Sequence, residues 1–265
     1  MKLTRNKSNK RKFFQIIRNN VTKEVIMENK SDMKISGSGS ISSGVYNDIK
    51  ISGSGGILGD VDCNDIKISG SVSCKGEIKA NNLKVSGSSS FYKDVEVKEF
   101  LKISGSAKFQ GNLKGNDVVI SGSSKIAGNV IGESIRVSGS VSVEGNCEGT
   151  EVTISGSANI KGLLSGDKIY LNGPSGYIKE IGGSEITIKD RNNVILFGII
   201  RFNSGKGLNC ELIEGDTIEL ENVKCDLVRG HNIKIGENCR IKMVEYTGSI
   251  EIDKKSKVEE FVSIK

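Results

Sequence analysis

KISGSGSISSGVYNDIKISGSGG, residues 34–56, contains the same short phrase twice, ISGS at 35–38 and again at 51–54. The phrase recurs along the chain in steps of 16 to 18 residues, and its apolar first residue falls at Ile35, Ile51, Ile68, Val85, Ile103, Ile120, Val137, Ile154 and, within LNGP, Leu171. A disordered Gly/Ser linker has no reason to keep this interval. Repeats of this length are typical of a solenoid.

Further apolar columns follow the same interval. Counting the apolar residue of the phrase as position 1, apolar residues also occupy positions 7, 11 and 16, and position 13 is mostly glycine or another small residue. Position 7 runs from Ile41 to Tyr177, and position 11 runs from Val45 to Ile181. Alternation such as Ile66-Lys67-Ile68 has the period of two expected for strands with one buried face.

These columns predict an all-β fold, a three-sided right-handed parallel β-helix (β-solenoid) with coils of about 17 residues. Three short strands in each coil are separated by corners that hold Gly, Asn and Asp. About nine coils at ~4.8 Å each predict a rod about 43 Å long. The regular rhythm ends after Ile188 and returns from Thr217 in a short C-terminal β-solenoid block.

The predicted domain organisation has four parts. Residues 1–30 form a basic, flexible N-terminal tail, and residues 31–188 form the β-helix. Residues 189–210 are a junction with an apolar patch between Arg191 and Arg201, and residues 211–265 form a second short β-helical block or cap. Aromatic residues make up only 5% of the chain, against 33 glycines. A stack of coils suits this composition because it needs no single central core.

Charge is concentrated in the tail. The chain carries a net charge of +6, while residues 1–20 hold seven Lys and Arg and no acid. Basic residues lie beside bulky apolar ones in this segment: Lys10, Arg11, Lys12, Phe13, Phe14, Ile16 and Ile17. This combination favours contact with an anionic membrane surface. A solvated arm without a partner is the main alternative, and nucleic acid, which attracts the same charges, is the least favoured interpretation.

Hydropathy predicts neither a membrane span nor a secretory signal, because no apolar run reaches 18 residues and the N-terminus lacks an apolar signal core. The longest apolar run, residues 194–200, is far too short to cross a bilayer. We therefore expect a cytoplasmic protein, peripheral at the inner face of the cell membrane.

The residues that could carry catalysis or bind a metal have a plainer interpretation. His231 is the only histidine and falls in the turn RGHNIK. Carboxylates recur in two corner columns, Asp60, Glu77, Asp94 and Asp65, Asp117, Glu151, where they alternate with Asn and Ser as solvated corner residues do. Six cysteines include no Cys-x-x-Cys pair, and three of them, Cys63, Cys74 and Cys147, fall in inward columns. We expect no enzyme, no cofactor and no metal site.

The ISGS repeats, together with IGGSEITI at 181–188 and DLVRGHNIKIGENCRIKMVEY at 226–246, resemble the bactofilin family, and most closely its Firmicute-type polymer-forming cytoskeletal proteins. The resemblance covers residues 30–265. It implies a bacterial protein that forms filaments without nucleotide near the inner membrane and supports cell shape, wall remodelling or motility. Many bactofilins have one uninterrupted helix, so the second block here implies different end surfaces.

Self-assembly through the ends of the rod is the function that we predict. A terminal coil exposes unpaired backbone groups and an apolar cross-section. The candidate polymer-end residues are Ile35, Ile41, Ile250, Ile252, Val258 and Phe261. The expected partners are further copies of the chain, an anionic membrane surface and cell-wall or motility proteins. A non-polymerising β-solenoid binding module is the alternative, and a β-helical enzyme acting on carbohydrate is a remote one.

Overall fold

The computed structural model describes residues 30–190 and 207–264. Within these residues every regular element is a strand, and parallel strands stack into a β-solenoid of about 13 turns with about 17 residues in each turn. The predicted fold class is confirmed. The coils stack in chain order: between the two ends of the described stack, strands pair with the strand one coil earlier and with the strand one coil later.

The twenty-one strands are β1 (Ser31–Ile35), β2 (Ser38–Ile41), β3 (Gly44–Ile51), β4 (Ser54–Ile57), β5 (Val61–Ile68), β6 (Ser71–Cys74), β7 (Ile78–Val85), β8 (Ser88–Phe91), β9 (Val95–Ile103), β10 (Ser106–Phe109), β11 (Leu113–Ile120), β12 (Ser123–Ile126), β13 (Val130–Val137), β14 (Ser140–Val143), β15 (Cys147–Ile154), β16 (Ser157–Asn172), β17 (Ser175–Lys189), β18 (Leu208–Leu220), β19 (Val223–Ile235), β20 (Arg240–Ile252) and β21 (Lys257–Ser263).

Each early coil has three runs of inward side chains. In the second coil β4 supplies the first run, and β5 supplies the other two, Val61 with Cys63 and Ile66 with Ile68. Residues 64–65 lie between these two runs and are not buried, so the inward alternation is interrupted there. A four-residue strand and an eight-residue strand therefore build three sides.

The core is a set of in-register columns. Ile51, Ile68 and Val85 are paired one above the other and are each at most 1% exposed. Phe91 and Phe109 stack in adjacent coils with ring centroids 4.7 Å apart. The same residue type can repeat because each coil meets the next at one spacing, about 4.8 Å.

One inward column holds small residues between the larger ones. Ser89, Ala107 and Ser124 are in register and buried. The hydroxyl groups of Ser89 and Ser124 have no hydrogen-bond partner within the described part of the chain. A buried hydroxyl without a partner lowers the stability of the folded state.

Two residues that the columns predict to be inward lie outward. Val45 is 43% exposed and pairs with Asp62, because the first coil has a shorter corner after Ile41 than the second coil has after Ile57. Tyr177 is half-buried, and Ile178 takes its place above Ile160. The corner before it is lengthened and turns at Gly173, whose φ is +58°. Both predictions were wrong by one residue.

The C-terminal strands continue the rod. β18 lies in register on β17, with Ile181 beside Ile213 and Ile188 beside Leu220. Lys189 contacts Glu219 and lies 3.6 Å from Glu221 across this joint. The proposed boundaries of the four parts stay predictions, and the apolar patch of the junction falls within residues 191–206, outside the described residues.

Candidate assembly surfaces

The N-terminal end of the rod is formed by β1 and β2. β1 pairs with β3 and β2 pairs with β4, and neither strand has a second partner in the described stack. Ile35 is half-buried at this end, whereas Ile41 is 0% exposed. Of the two predicted end residues, only Ile35 can offer apolar area to another molecule. Val45, which the sequence columns placed inside, adds exposed area nearby.

The C-terminal end is more apolar on its surface. β21 pairs only with β20 among the described strands, and Phe261 lies beside the fully buried Val244. Phe261 is 56% exposed and Ile252 is 38% exposed. The other two predicted end residues, Ile250 and Val258, are half-buried against the core. All four of the predicted C-terminal residues therefore lie in the last two strands.

Sequence reasoning missed one exposed residue here. Val262 is 46% exposed and follows Phe261 directly. Two consecutive apolar residues in a strand point to opposite sides, so one of them must face away from the core. The consecutive apolar pair Phe261-Val262 was therefore the signal in the sequence that could have identified Val262 as exposed.

Charged residues border the apolar C-terminal edge. Lys257, Glu259 and Glu260 lie on β21 and are exposed. Charges on an edge strand oppose indiscriminate pairing with other chains. The C-terminal edge thus exposes apolar side chains and backbone groups, and the charges beside them disfavour random strand pairing.

A groove runs along one side of the rod over its C-terminal half. It has a volume of about 1060 Å³ and extends from Ile131 to Ile264. Its floor follows the inward position 13, where the rod has Gly132, Gly149, Gly166, Gly183, Gly215 and Gly230. In earlier coils the same position holds Cys63, Ala80, Val97 and Gly115, which are all buried. The groove runs beside the glycines of this column from Gly132 onwards.

Close packing explains the glycines. A Cβ atom on Gly183 would lie 2.3 Å from the carbonyl oxygen of Gly166, and one on Gly215 would lie 2.4 Å from that of Gly183. Real Cβ atoms do not approach oxygen this closely. Successive coils therefore touch backbone to backbone along the floor of the groove.

Acidic side chains dominate the groove walls. The acidic lining residues are Glu148, Asp167, Glu180, Glu214 and Asp216. The lining also includes Arg229, whose Nε donates to Glu245 at 2.6 Å and whose Nη1 lies 3.6 Å from Glu214. The hydrogen bond to Glu245 raises the pKa of Arg229 above its ordinary value. His231 Nδ1 is hydrogen-bonded to Thr247 Oγ1 at 2.8 Å, next to the groove.

The corner carboxylates and amides hold successive coils together. Asp60 Oδ1 accepts a hydrogen bond from the backbone N–H of Glu77 at 2.8 Å, and Asp94 does the same for Asn112 at 2.8 Å. Asn112 in turn accepts from the N–H of Asn129 at 3.0 Å. In the second column, a hydrogen bond from Asn82 lowers the pKa of Asp65. These contacts give the recurring acids a structural role.

The six cysteines are all buried as free thiols. Burial raises the pKa of four of them to about 12, and these are Cys63, Cys74, Cys147 and Cys225. Thiols of this kind are poor nucleophiles and poor metal ligands at neutral pH. No cluster of three or more potential metal ligands occurs in residues 30–190 and 207–264.

The predicted membrane-binding residues Lys10, Arg11, Lys12, Phe13, Phe14, Ile16 and Ile17 lie outside the described residues. Among those that are described, no helix is long and apolar enough to span a membrane.

A rod of parallel coils with a strand edge at each described end is the architecture of a β-solenoid repeat protein. The sequence profile of the bactofilin family, described as polymer-forming cytoskeletal, matches residues 15–114 and again residues 85–174. The chain belongs to the bactofilin family, which is a family of structural proteins and not of enzymes.

Two proteins of Bacillus subtilis (strain 168) are similar to parts of the chain. Uncharacterized protein YhbE is 39% identical over 83 residues, which cover 31% of this chain and 34% of the relative. Uncharacterized protein YhbF is 38% identical over 85 residues, which cover 32% of this chain and 33% of the relative. The match thus spans about a third of each relative. No solved structure matches the chain significantly.

Proposed function

We propose that this chain is a cytoskeletal scaffold that assembles end to end into filaments without nucleotide. The exposed strand edge and apolar side chains of the C-terminal end carry the proposal: Phe261, Val262 and Ile252 lie where β20 and β21 lack a following coil. Backbone groups on such an edge pair readily with another strand. With a strand edge free at each end of the described stack, contacts can propagate into open filaments.

Assembly of this kind requires no nucleotide and depends little on salt concentration. The interface consists of apolar side chains and backbone groups, so filaments form in the absence of ATP and GTP. Moderate salt leaves them intact because screening acts on charges and hardly on apolar burial. The scaffold supports cell shape, wall remodelling or motility by holding cell-wall or motility proteins in place.

Electron microscopy and light scattering of Phe261→Arg test the proposal. We expect wild-type filaments and short or absent filaments in the variant, because a buried, unpaired guanidinium at the contact is costly. Tyr92→Arg is the matched control, since Tyr92 is 47% exposed but lies directly after β8, away from both ends of the rod. Equal filament lengths in both variants, or a wild-type protein that stays monomeric at high concentration, would contradict end-to-end assembly.

We further propose that the scaffold lies at the inner membrane surface, held by its basic tail. Removing residues 2–20 should abolish binding to anionic vesicles and leave the β-sheet circular dichroism unchanged, because each Lys or Arg near anionic headgroups contributes about 1 kcal/mol. Equal vesicle binding by both proteins would contradict the membrane role. If the full chain bound nucleic acid in preference to vesicles, nucleic acid would be the partner of the tail.

A further inference from the structure

The groove has an apolar surface as well as acidic walls. Ile131 is 40% exposed at its near end, and Leu163, Leu212 and Ile264 are half-buried along it. Exposed apolar side chains in a concave surface bordered by charges are typical of a peptide-binding groove. The surface therefore suits a segment that carries both apolar and charged side chains.

The acidic walls determine the sign of that charge. Glu148, Asp167 and Asp216 form no ion pair with any residue in the described ranges. Glu214 shares Arg229 with Glu245, and Glu180 is paired with Lys179 at 3.1 Å. Three unpaired carboxylates along one groove select a cationic occupant.

One segment of the chain has both properties. Residues 10–17, KRKFFQII, place three cationic side chains directly before four bulky apolar ones. They lie outside the described residues. We propose that the groove binds residues 10–17 of its own chain, with the basic side chains at the acidic walls and the apolar ones against Ile131, Leu163 and Leu212.

The starting point of the described chain favours this occupant. Ser31 pairs with Tyr46, beside Val45. Val45 begins an outward column that continues in register through Asp62, Lys79, Glu96 and Lys114 to Ile131 and Glu148. The described chain thus begins on the side of the rod that carries the groove.

The distance from Ser31 to the groove is also short enough for the groove to bind a segment of the same chain. Six coils separate Ser31 from the near end of the groove, about 29 Å at 4.8 Å each. Residues 18–30 can span up to about 43 Å when extended, at about 3.3 Å per residue. A segment tethered within reach of its site has an effective concentration in the millimolar range, which a second copy does not match in dilute solution.

Docking in the groove has a consequence for membrane binding. The same basic and apolar side chains cannot contact lipid headgroups and the groove together. The groove therefore competes with the membrane for residues 10–17 and binds them when no anionic surface is near. Docking itself does not require filament formation.

Photo-cross-linking in the full-length protein tests this assignment. A benzoylphenylalanine in place of Phe14 should cross-link to residues around Leu163 and Leu212, identified by mass spectrometry. In a mixture of isotopically heavy and light chains, the cross-links should join heavy to heavy and light to light. Predominantly mixed cross-links would overturn the same-chain assignment.

Charge reversal identifies the forces involved. Asp167→Lys with Asp216→Lys should lower the cross-link yield about fivefold, as expected when two exposed ion pairs are replaced by repulsion. Glu77→Lys with Glu99→Lys, two exposed acids away from the groove, should leave the yield unchanged. Adding Lys10→Glu and Arg11→Glu to the groove variant should restore it. The proposal would be overturned if no charge reversal changed the cross-link yield and the probe labelled only the lipids of added anionic vesicles. Residues 10–17 would then be assigned to the membrane.

Discussion

Tyr177 and Glu211, 34 residues apart in the sequence, are joined by a hydrogen bond of 2.6 Å across the joint between β17 and β18. The bond lies one strand position from Ile178, which is fully buried. Inside the rod, the buried pair Ile181 and Ile213 joins the same two coils that this polar contact joins on the outside. β18 lies in register on β17 although residues 190–207 separate the two strands in the sequence.

This contact predicts a dependence on alkaline pH. The hydrogen bond to Glu211 raises the pKa of Tyr177 to about 12, from an ordinary value of about 10. The folded state therefore favours the protonated phenol, and the stabilisation is complete below about pH 10 and is lost as the pH rises through 12. Ultraviolet absorbance should show one of the five tyrosines ionising late.

Two variants distinguish this assignment. Tyr177→Phe should remove the late ionisation, while Tyr170→Phe, at an outward position that is 42% exposed, should not. If both variants keep the late phase, the raised pKa belongs to another tyrosine.

Replacement of the inward Ile120 tests the register of the rod. Ile120 is 1% exposed, and Ser121, next to it, is exposed. Ile120→Asp places a carboxylate in the core without a cation and should cost several kcal/mol of unfolding free energy. Ser121→Asp should change it by less than about 0.5 kcal/mol. Thermal or denaturant unfolding measures both, and equal losses would refute the register.

A pair of adjacent glycines tests the floor of the groove. A Cβ on Gly183 would lie 2.3 Å from a backbone oxygen, whereas one on Gly182 would meet only Leu163 Cδ1, at 3.6 Å. Gly183→Ala should therefore destabilise the protein by about 1–3 kcal/mol, as overpacking does. Gly182→Ala should be close to neutral. Denaturant unfolding that ranks the two variants in the opposite order would exclude the backbone contact between coils.

The unpartnered hydroxyl of Ser124 offers a stabilising substitution. Its neighbours in the inward column are Ala107 and Val141, so the site accepts an apolar side chain of similar size. Ser124→Ala should stabilise the protein by about 1 kcal/mol, because no hydrogen bond is lost and the buried polar atom is removed. Ser123→Ala, in the exposed row beside it, should change the melting temperature little. A clear loss of stability in Ser124→Ala would indicate that the hydroxyl has a partner.

The repeat of about 17 residues was sufficient to predict the coil and the inward columns, and the family resemblance rested on the repeat together with residues 181–188 and 226–246. Each coil must lie on the next, so an error of one residue would turn a whole strand inside out. The predicted inward columns were wrong only at Val45 and Tyr177, where a corner changes length. Counting a fixed number of residues from the start of each coil does not detect one residue lost or gained in a turn. The same repeat also identified the exposed end residues Ile252 and Phe261, because they are among the last apolar residues before the repeat ends.

Long-range contacts decided the remaining features. The continuation of the rod from Ile188 to Leu220 depends on pairing across a segment without the repeat. The groove depends on glycines that are far apart in sequence and come together only when six or more coils are stacked. The sequence by itself determined which side chains face inward, since that follows from local alternation. The tertiary structure decided which outward side chains become neighbours, since that is set by the stacking of distant coils.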